Sequence, residues 1–272
     1  MTADNVEVSE DLSTLPSNPV PIYVINLDRS VNRLEGLARS ASRADLSFTR
    51  VKGVDGVQVP HVERKELNEL LFGLRCGRRS LPGEYGCYRS HLDTLDRVAE
   101  ASDEVALIME DDLEFPENFR DMISGLTPMM EGYRIIKLVN HRSGGFLKLW
   151  QAGPDCEIGV CTMGPQGSSA AYLVTRKGAR RLRQQLSNIS LPYDTAFERA
   201  WATGVSVLTV RTNLMPYAGG ERGETLVGTS LDYRATKFFK LLRVPSYLFK
   251  GLENVLRAGN ACFTFLLWKW KA

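Results

Sequence analysis

Cysteine is scarce in this chain, and the five that occur, Cys76, Cys87, Cys156, Cys161 and Cys262, are scattered. An odd number excludes a framework in which every thiol is paired within the chain, and no two have the spacing of a zinc site. Reduced thiols in a cytosolic protein are the expectation. Long apolar runs are also missing: no uncharged stretch reaches the ~18 residues that suggest a membrane span. Residues 1–18 are polar and acidic, without the basic and apolar regions of a secretory signal, and read as a flexible leader. There is no internal repeat and no low-complexity segment.

The net charge is small, +2, but it is unevenly spread. Residues 234–272 hold eight basic side chains and one acid, Glu253, a net of +7, so the remainder carries −5. An acidic body wears a basic tail. With 272 residues, 43% hydrophobic and 24% charged, the body is long enough to bury a full core. The expected organisation is the leader 1–18, one α/β domain over 19–225 and a basic amphipathic tail over 226–272.

Val20 to Leu27 (VPIYVINL) reads as a buried strand. Asp28 and Ser30 then supply N-cap chemistry for a helix from Val31 to Ser42, and Ser47 to Val51 is a second strand ending in Gly53-Val54-Asp55-Gly56. A strand–helix–strand opening is the start of a nucleotide-binding α/β unit. Residues 61–82 read as charged and loop-like, with mobile arginines at 75, 78 and 79. A helix is expected over 84–99. Val105 to Met109 (VALIM) is a continuous apolar run, the mark of a central strand buried on both faces. Further strands are expected at 134–139, 170–175 and 205–210, with a glycine-rich loop over 140–167 and a helix over 177–187.

The central run stops at Glu110-Asp111-Asp112. Ligands of open α/β sheets bind beyond the carboxyl ends of strands. Adjacent carboxylates repel, and a divalent cation is the usual way to hold them together. If strand geometry persists, Glu110 and Asp112 point to one face and form an acid-x-acid pair for Mn²⁺ or Mg²⁺. Such a metal bridges a diphosphate and offsets its charge as it leaves. The alternative is a solvated loop leading to a helix N-terminus.

Three blocks resemble glycosyltransferase family 25, which includes bacterial lipooligosaccharide galactosyltransferases and collagen galactosyltransferases. They are Val24–Arg33 with Val51–Gly56, then Gly83–Leu92 (GEYGCYRSHL), then Ala106–Asp112 (ALIMEDD). Weaker matches at Gly167–Tyr172 and Pro192–Asp194 extend the likeness over residues 20–215. The resemblance implies a GT-A-like Rossmann-type nucleotide-diphospho-sugar transferase fold. It also implies inverting transfer of a hexose, commonly galactose, from a UDP-sugar to a lipopolysaccharide, lipooligosaccharide or other glycan acceptor.

On that reading Glu110 and Asp112 are the metal ligands, with Asp111 ligating or orienting. Arg29 and Arg33 suit phosphate oxygens, although Arg33 could be an ordinary surface arginine. Asp55 is a candidate for the ribose or uracil, or else a turn residue beside Gly56. Ser90 is a candidate donor contact. His91 is either a ligand or a satisfied core histidine. Inversion needs a general base on the acceptor hydroxyl. Asp194 is the candidate, with Glu198 in reserve, and the competing role for Asp194 is a helix N-cap.

The tail, interrupted by Pro245 and Gly251, reads as basic and amphipathic with terminal Trp268 and Trp270. It suits an anionic membrane surface, or else packing on the acidic body. The expected location is cytoplasmic, peripheral on the inner face of the cytoplasmic membrane. No nucleic-acid partner is expected, because the basic residues sit among apolar ones. The competing functions are another metal-dependent nucleotide-processing enzyme, which needs further carboxylates for a second metal, and a catalytically inactive glycosyltransferase-like binding domain.

Overall fold

The structure is a computed structural model that describes residues 18–220 and 227–271. The expected leader therefore lies almost wholly outside the described residues. The chain opens with β1 (Ile22–Asn26), α1 (Val31–Arg43) and β2 (Thr49–Lys52), as the periodicity predicts. Ser30 occupies the N-cap of α1 but its hydroxyl makes no cap bond, and Asp28 instead pairs with Arg50 and Lys52, each at 2.7 Å. The region expected to be a mobile basic loop contains α2 (Glu69–Cys76), capped by the Asn68 side chain accepting from Leu71 N at 3.0 Å. Arg78 is not mobile. It forms a two-armed pair with Glu84 at 2.5 and 2.7 Å, and its guanidinium lies over Phe72 and Tyr233.

Next come α3 (Pro82–Glu100), β3 (Val105–Glu110), α4 (Phe119–Leu126) and β4 (Arg134–Lys137). The expected loop over 140–167 contains a hairpin, β5 (Phe146–Gln151) and β6 (Glu157–Cys161). Then follow β7 (Ala171–Thr175), α5 (Arg176–Gln185), the short turns α6 (Tyr193–Ala196) and α7 (Ala200–Thr203), β8 (Ser206–Val210) and α8 (Ser230–Ala235). The chain closes with α9 (Val244–Lys271). Pro245 does not interrupt this helix because it lies in the first turn, where no intrahelical N–H is needed. Gly251 is carried within it.

One sheet runs in the order β2-β1-β3-β7-β4-β8-β6-β5. Its β2-β1-β3 portion is parallel, and β7 runs antiparallel between β3 and β4. Helices cover both faces. Leu107 and Met109 of β3 pack with Leu37, Phe119 and Ile136 on one side, while Ala106 and Ile108 pack with Leu92, Leu95 and Val174 on the other. All four β3 residues are buried, which explains their unbroken apolar run. Each such Leu, Ile or Met side chain contributes about 1.5–3 kcal/mol by leaving water.

The register places function at one edge. Ile25 of β1 lies opposite Glu110 of β3, and Asn26 opposite Lys52 of β2. Three chain segments, 26–33, 52–57 and 110–112, therefore leave the sheet side by side at its carboxyl end.

Candidate active site

These three segments and the start of α3 surround a cleft with two lobes. The smaller, about 90 Å³, is walled by Leu27, Arg29, Arg33, Val54, Asp55 and Asp111. The larger, about 310 Å³, is walled by Arg78, Ser169, Tyr193, Asp194, Tyr217 and Tyr233. Glu110, Asp112 and Cys87 border both lobes and form the partition.

Two glycines let the 53–56 turn lie directly on α3. A methyl group on Gly56 would sit 1.8 Å from the Pro82 carbonyl oxygen, and one on Gly86 would sit 2.4 Å from the Val54 carbonyl oxygen. Neither position tolerates a side chain without a backbone shift. Ser90 completes the seam: its hydroxyl donates to Gly86 O at 2.7 Å and accepts from Val54 N at 2.8 Å. Ser90 also borders the smaller lobe. Its only proton is spent fastening the turn to the helix.

Glu110 is held from two sides. Ser169 donates its hydroxyl to Glu110 Oε1 at 2.9 Å, and His91 Nε2 lies 3.3 Å from the same oxygen. The other His91 nitrogen meets the Tyr172 hydroxyl at 3.1 Å, and its ring stacks on Tyr193 at 4.2 Å. Burial pushes both tyrosine hydroxyls far above their usual range, so they stay protonated. His91 is therefore buried, with a contact at each ring nitrogen.

Asp111 turns away from the partition. Its Oδ2 accepts from Asn26 Nδ2 at 2.7 Å and its Oδ1 faces Arg33 Nη1 at 3.3 Å. Arg50 Nε in turn donates to Asn26 Oδ1 at 2.8 Å. These contacts tie the acidic turn to β1 and α1. Burial raises its carboxyl although Asn26 and Arg33 oppose the shift. Arg33 is committed to this tie, yet it still lines the smaller lobe. Arg29 pairs with Asp55 at the mouth of that lobe.

Asp112 Oδ1 is buried and has no hydrogen-bond partner. Burial, with Glu110 beside it, pushes its carboxyl up to about 7. An orphaned carboxylate oxygen and a second carboxylate on one wall form a hard, oxygen-donor set that fits a divalent cation. Cys87 Sγ, a His91 ring nitrogen and Glu110 also lie within 4.8 Å of one another. In this second grouping, however, His91 already has partners at both nitrogens.

The amino-terminal half of the chain, which carries the partition of the cleft, matches a known family. Residues 20–148 fit the family model described as glycosyltransferase family 25 (LPS biosynthesis protein). Just under half of the chain therefore carries a match to glycosyltransferase family 25. Human procollagen galactosyltransferase 2 is 31% identical over 130 residues, covering 44% of this chain and 21% of that protein. The human inactive glycosyltransferase 25 family member 3 is 28% identical over 172 residues, covering 59% and 28%. The chain thus spans between a fifth and a third of the length of these curated relatives. Among solved structures, a galactosyltransferase, LgtC, bound to donor and acceptor sugar analogues, aligns at TM-score 0.35 and 12% identity, covering 69% of this chain and 73% of that one. A glycosyltransferase involved in glycosylation of the PBCV-1 major capsid aligns at TM-score 0.37 and 10% identity, covering 71% and 81%. Likenesses with such TM-scores do not fix a fold. The GT-A-like fold implied by the family agrees with the α/β sheet and its carboxyl-edge cleft.

Of the two candidate bases, only Asp194 borders the cleft. It is not an N-cap, since Pro192 occupies that position of α6. Asp194 is half-buried in the wall of the larger lobe, and burial raises its carboxyl while Lys137 opposes the shift. Glu198 is a correction. Its side chain is sealed in the interior between Lys137 Nζ and Arg257 Nη1, both at 3.1 Å, and it accepts from Gln166 N. No acceptor hydroxyl can reach it. Sequence reasoning missed Asn26 and Lys137. Asn26 stands inside a family-like block, while a lysine in a strand reads as an edge residue.

Proposed function

We propose that this chain is an active, metal-dependent, inverting glycosyltransferase that moves a hexose, galactose first among candidates, from a UDP-sugar to a lipopolysaccharide, lipooligosaccharide or other glycan acceptor. The observation that supports this reading best is the buried, unpartnered Asp112 Oδ1 beside Glu110, on the partition between the two lobes. Mn²⁺ or Mg²⁺ held by Glu110 and Asp112 would supply positive charge against the diphosphate. The smaller lobe takes the nucleotide, with Val54 and Leu27 as apolar walls and Arg29 and Arg33 toward the phosphates. The larger lobe takes the sugar and the acceptor.

Asp194 accepts the proton of the acceptor hydroxyl as that oxygen attacks the anomeric carbon. The carbon–oxygen bond to the diphosphate breaks, and UDP leaves with the bonding electrons. One displacement at the anomeric carbon inverts its configuration, and no covalent enzyme intermediate forms. A carboxyl raised by burial is a stronger base than one in water, which suits this role.

Asp112→Asn tests the reading. Transfer falls by two orders of magnitude or more, and Mn²⁺ with UDP no longer raises the melting temperature, while the unliganded fold melts as before. Normal turnover in that variant with an intact metal requirement sinks the site. Absence of turnover in the unaltered chain, across UDP- and GDP-sugars that do raise its melting temperature, favours the inactive-domain alternative that some relatives' names suggest.

A further inference from the structure

Helix α9 carries apolar side chains on both faces. In a helix docked on a globular body the apolar stripe faces inward. Here the inward stripe is mixed: Ser246, Glu253 and Arg257 are buried together with Ala261, and Phe249, Phe265 and Trp268 are partly buried against the core. Glu253 accepts two bonds from Arg199, each 2.7 Å, and Arg257 pairs with the interior Glu198. These directional contacts fix the rotation of the helix against α2, α7 and the β5–β6 edge of the sheet. Glu253 and Arg257 are 8% and 4% exposed, whereas Leu248 and Trp270 are 71% and 84% exposed.

The outward stripe is apolar along the helix. Leu248, Leu252, Val255, Phe263, Leu266 and Trp270 recur at three- and four-residue spacing and its multiples, and all are exposed. No charge falls on that line. Just upstream, Phe239, Leu241 and Leu242 continue the exposed surface. A greasy face of this extent on an otherwise polar protein marks a binding surface.

Charge decides the occupant. The one acid of this region, Glu253, is buried and paired, so the exposed ionic groups from 234 onward are basic: Arg234, Lys237, Lys240, Lys250 and Lys269. Pairing two copies through this face brings like charges together. An anionic bilayer surface complements both the apolar stripe and the basic flanks. Trp270, next to Lys269, suits the boundary between headgroups and acyl chains. No helix of the described residues is long and apolar enough to cross a membrane, so the helix lies along the surface.

We infer that the outward face of α9 seats the protein on an anionic phospholipid surface, with the ion pairs beneath it fixing the orientation of the body. The full chain is mixed with phosphatidylcholine vesicles, with and without phosphatidylglycerol, and floated on a density gradient. It floats with the anionic vesicles only. The double variant Leu252→Glu/Phe263→Glu loses tenfold or more in partition, and Lys237→Gln, Lys240→Gln and Lys269→Gln each lose about fivefold. Because all these positions are exposed, the melting temperature is retained, and the lysine variants test the idea even if the glutamates disturb the fold. Failure of the unaltered chain to float overturns the inference, as does equal flotation of the double variant. Light scattering that shows a dimer in the unaltered chain and a monomer in the double variant, with vesicles leaving the dimer intact, assigns the face to a second copy and also overturns it. The readout is independent of sugar transfer.

Discussion

Replacing Glu198 with Ala separates two roles that a carboxylate at this position might have. In the structure it is wholly buried between Lys137 and Arg257 and accepts from Gln166 N. Removing it strands two buried cations and a buried N–H, each of which then lacks its carboxylate. Breaking a buried pair by deleting one partner costs about 3–5 kcal/mol. For a domain of this size, each kcal/mol is about 2–4 °C, so the melting temperature drops by about 6–20 °C. The assay is urea denaturation followed by fluorescence: the midpoint falls while the slope is unchanged. Glu198→Gln, which keeps the shape and some hydrogen bonds, falls less. If Glu198→Ala unfolds at the original midpoint while kcat drops by orders of magnitude, the carboxylate acts on substrate and the interior placement is wrong.

Gly86→Ala drives a methyl group against the Val54 carbonyl, costs about 1–3 kcal/mol of stability by overpacking, and weakens UDP binding because the turn must lift; calorimetry checks both. Asp194→Asn abolishes transfer yet stabilises the fold at neutral pH. The sign follows from the raised carboxyl: the native state holds its proton more tightly than the unfolded chain, so stability is lost as pH rises through the native value. The gain in melting temperature should shrink in acid, and a gain that grows in acid refutes the shift. Arg29→Ala leaves the denaturation midpoint within about 1 kcal/mol, because its pair with Asp55 is at the surface, but weakens UDP binding about tenfold in titration calorimetry.

Local signals were enough for much of the fold. Apolar periodicity located β1, α1, α3 and β3, and three acids after a doubly buried strand located the partition of the cleft. The hairpin β5–β6 was hidden because glycines flank it and β5 is an edge strand with only Leu149 buried. Helix α2 is short, carries Gly73 and lies between the charged stretches 63–66 and 75–79, and its cap is an asparagine that also suits a loop. The partners of Glu198 lie 61 residues before it and 59 after it in the chain. No local pattern encodes a contact of that range, so a carboxylate one turn beyond Asp194 looked like a second base. The role of Asp111 was open for a related reason: which of three neighbouring acids faces inward depends on Asn26, 85 residues away.

The carboxy-terminal helix is fastened to the rest of the protein by buried ion pairs as well as by apolar packing, and this bears on how the molecule can be cut. Trimming it away would leave Arg199 without Glu253 and the Lys137–Glu198 pair without Arg257, next to the strand and loop that carry Gly167 and Ser169. A shortened chain made to be easier to handle would thus be weakened from the inside, and loss of turnover in it would say nothing about where the intact molecule resides.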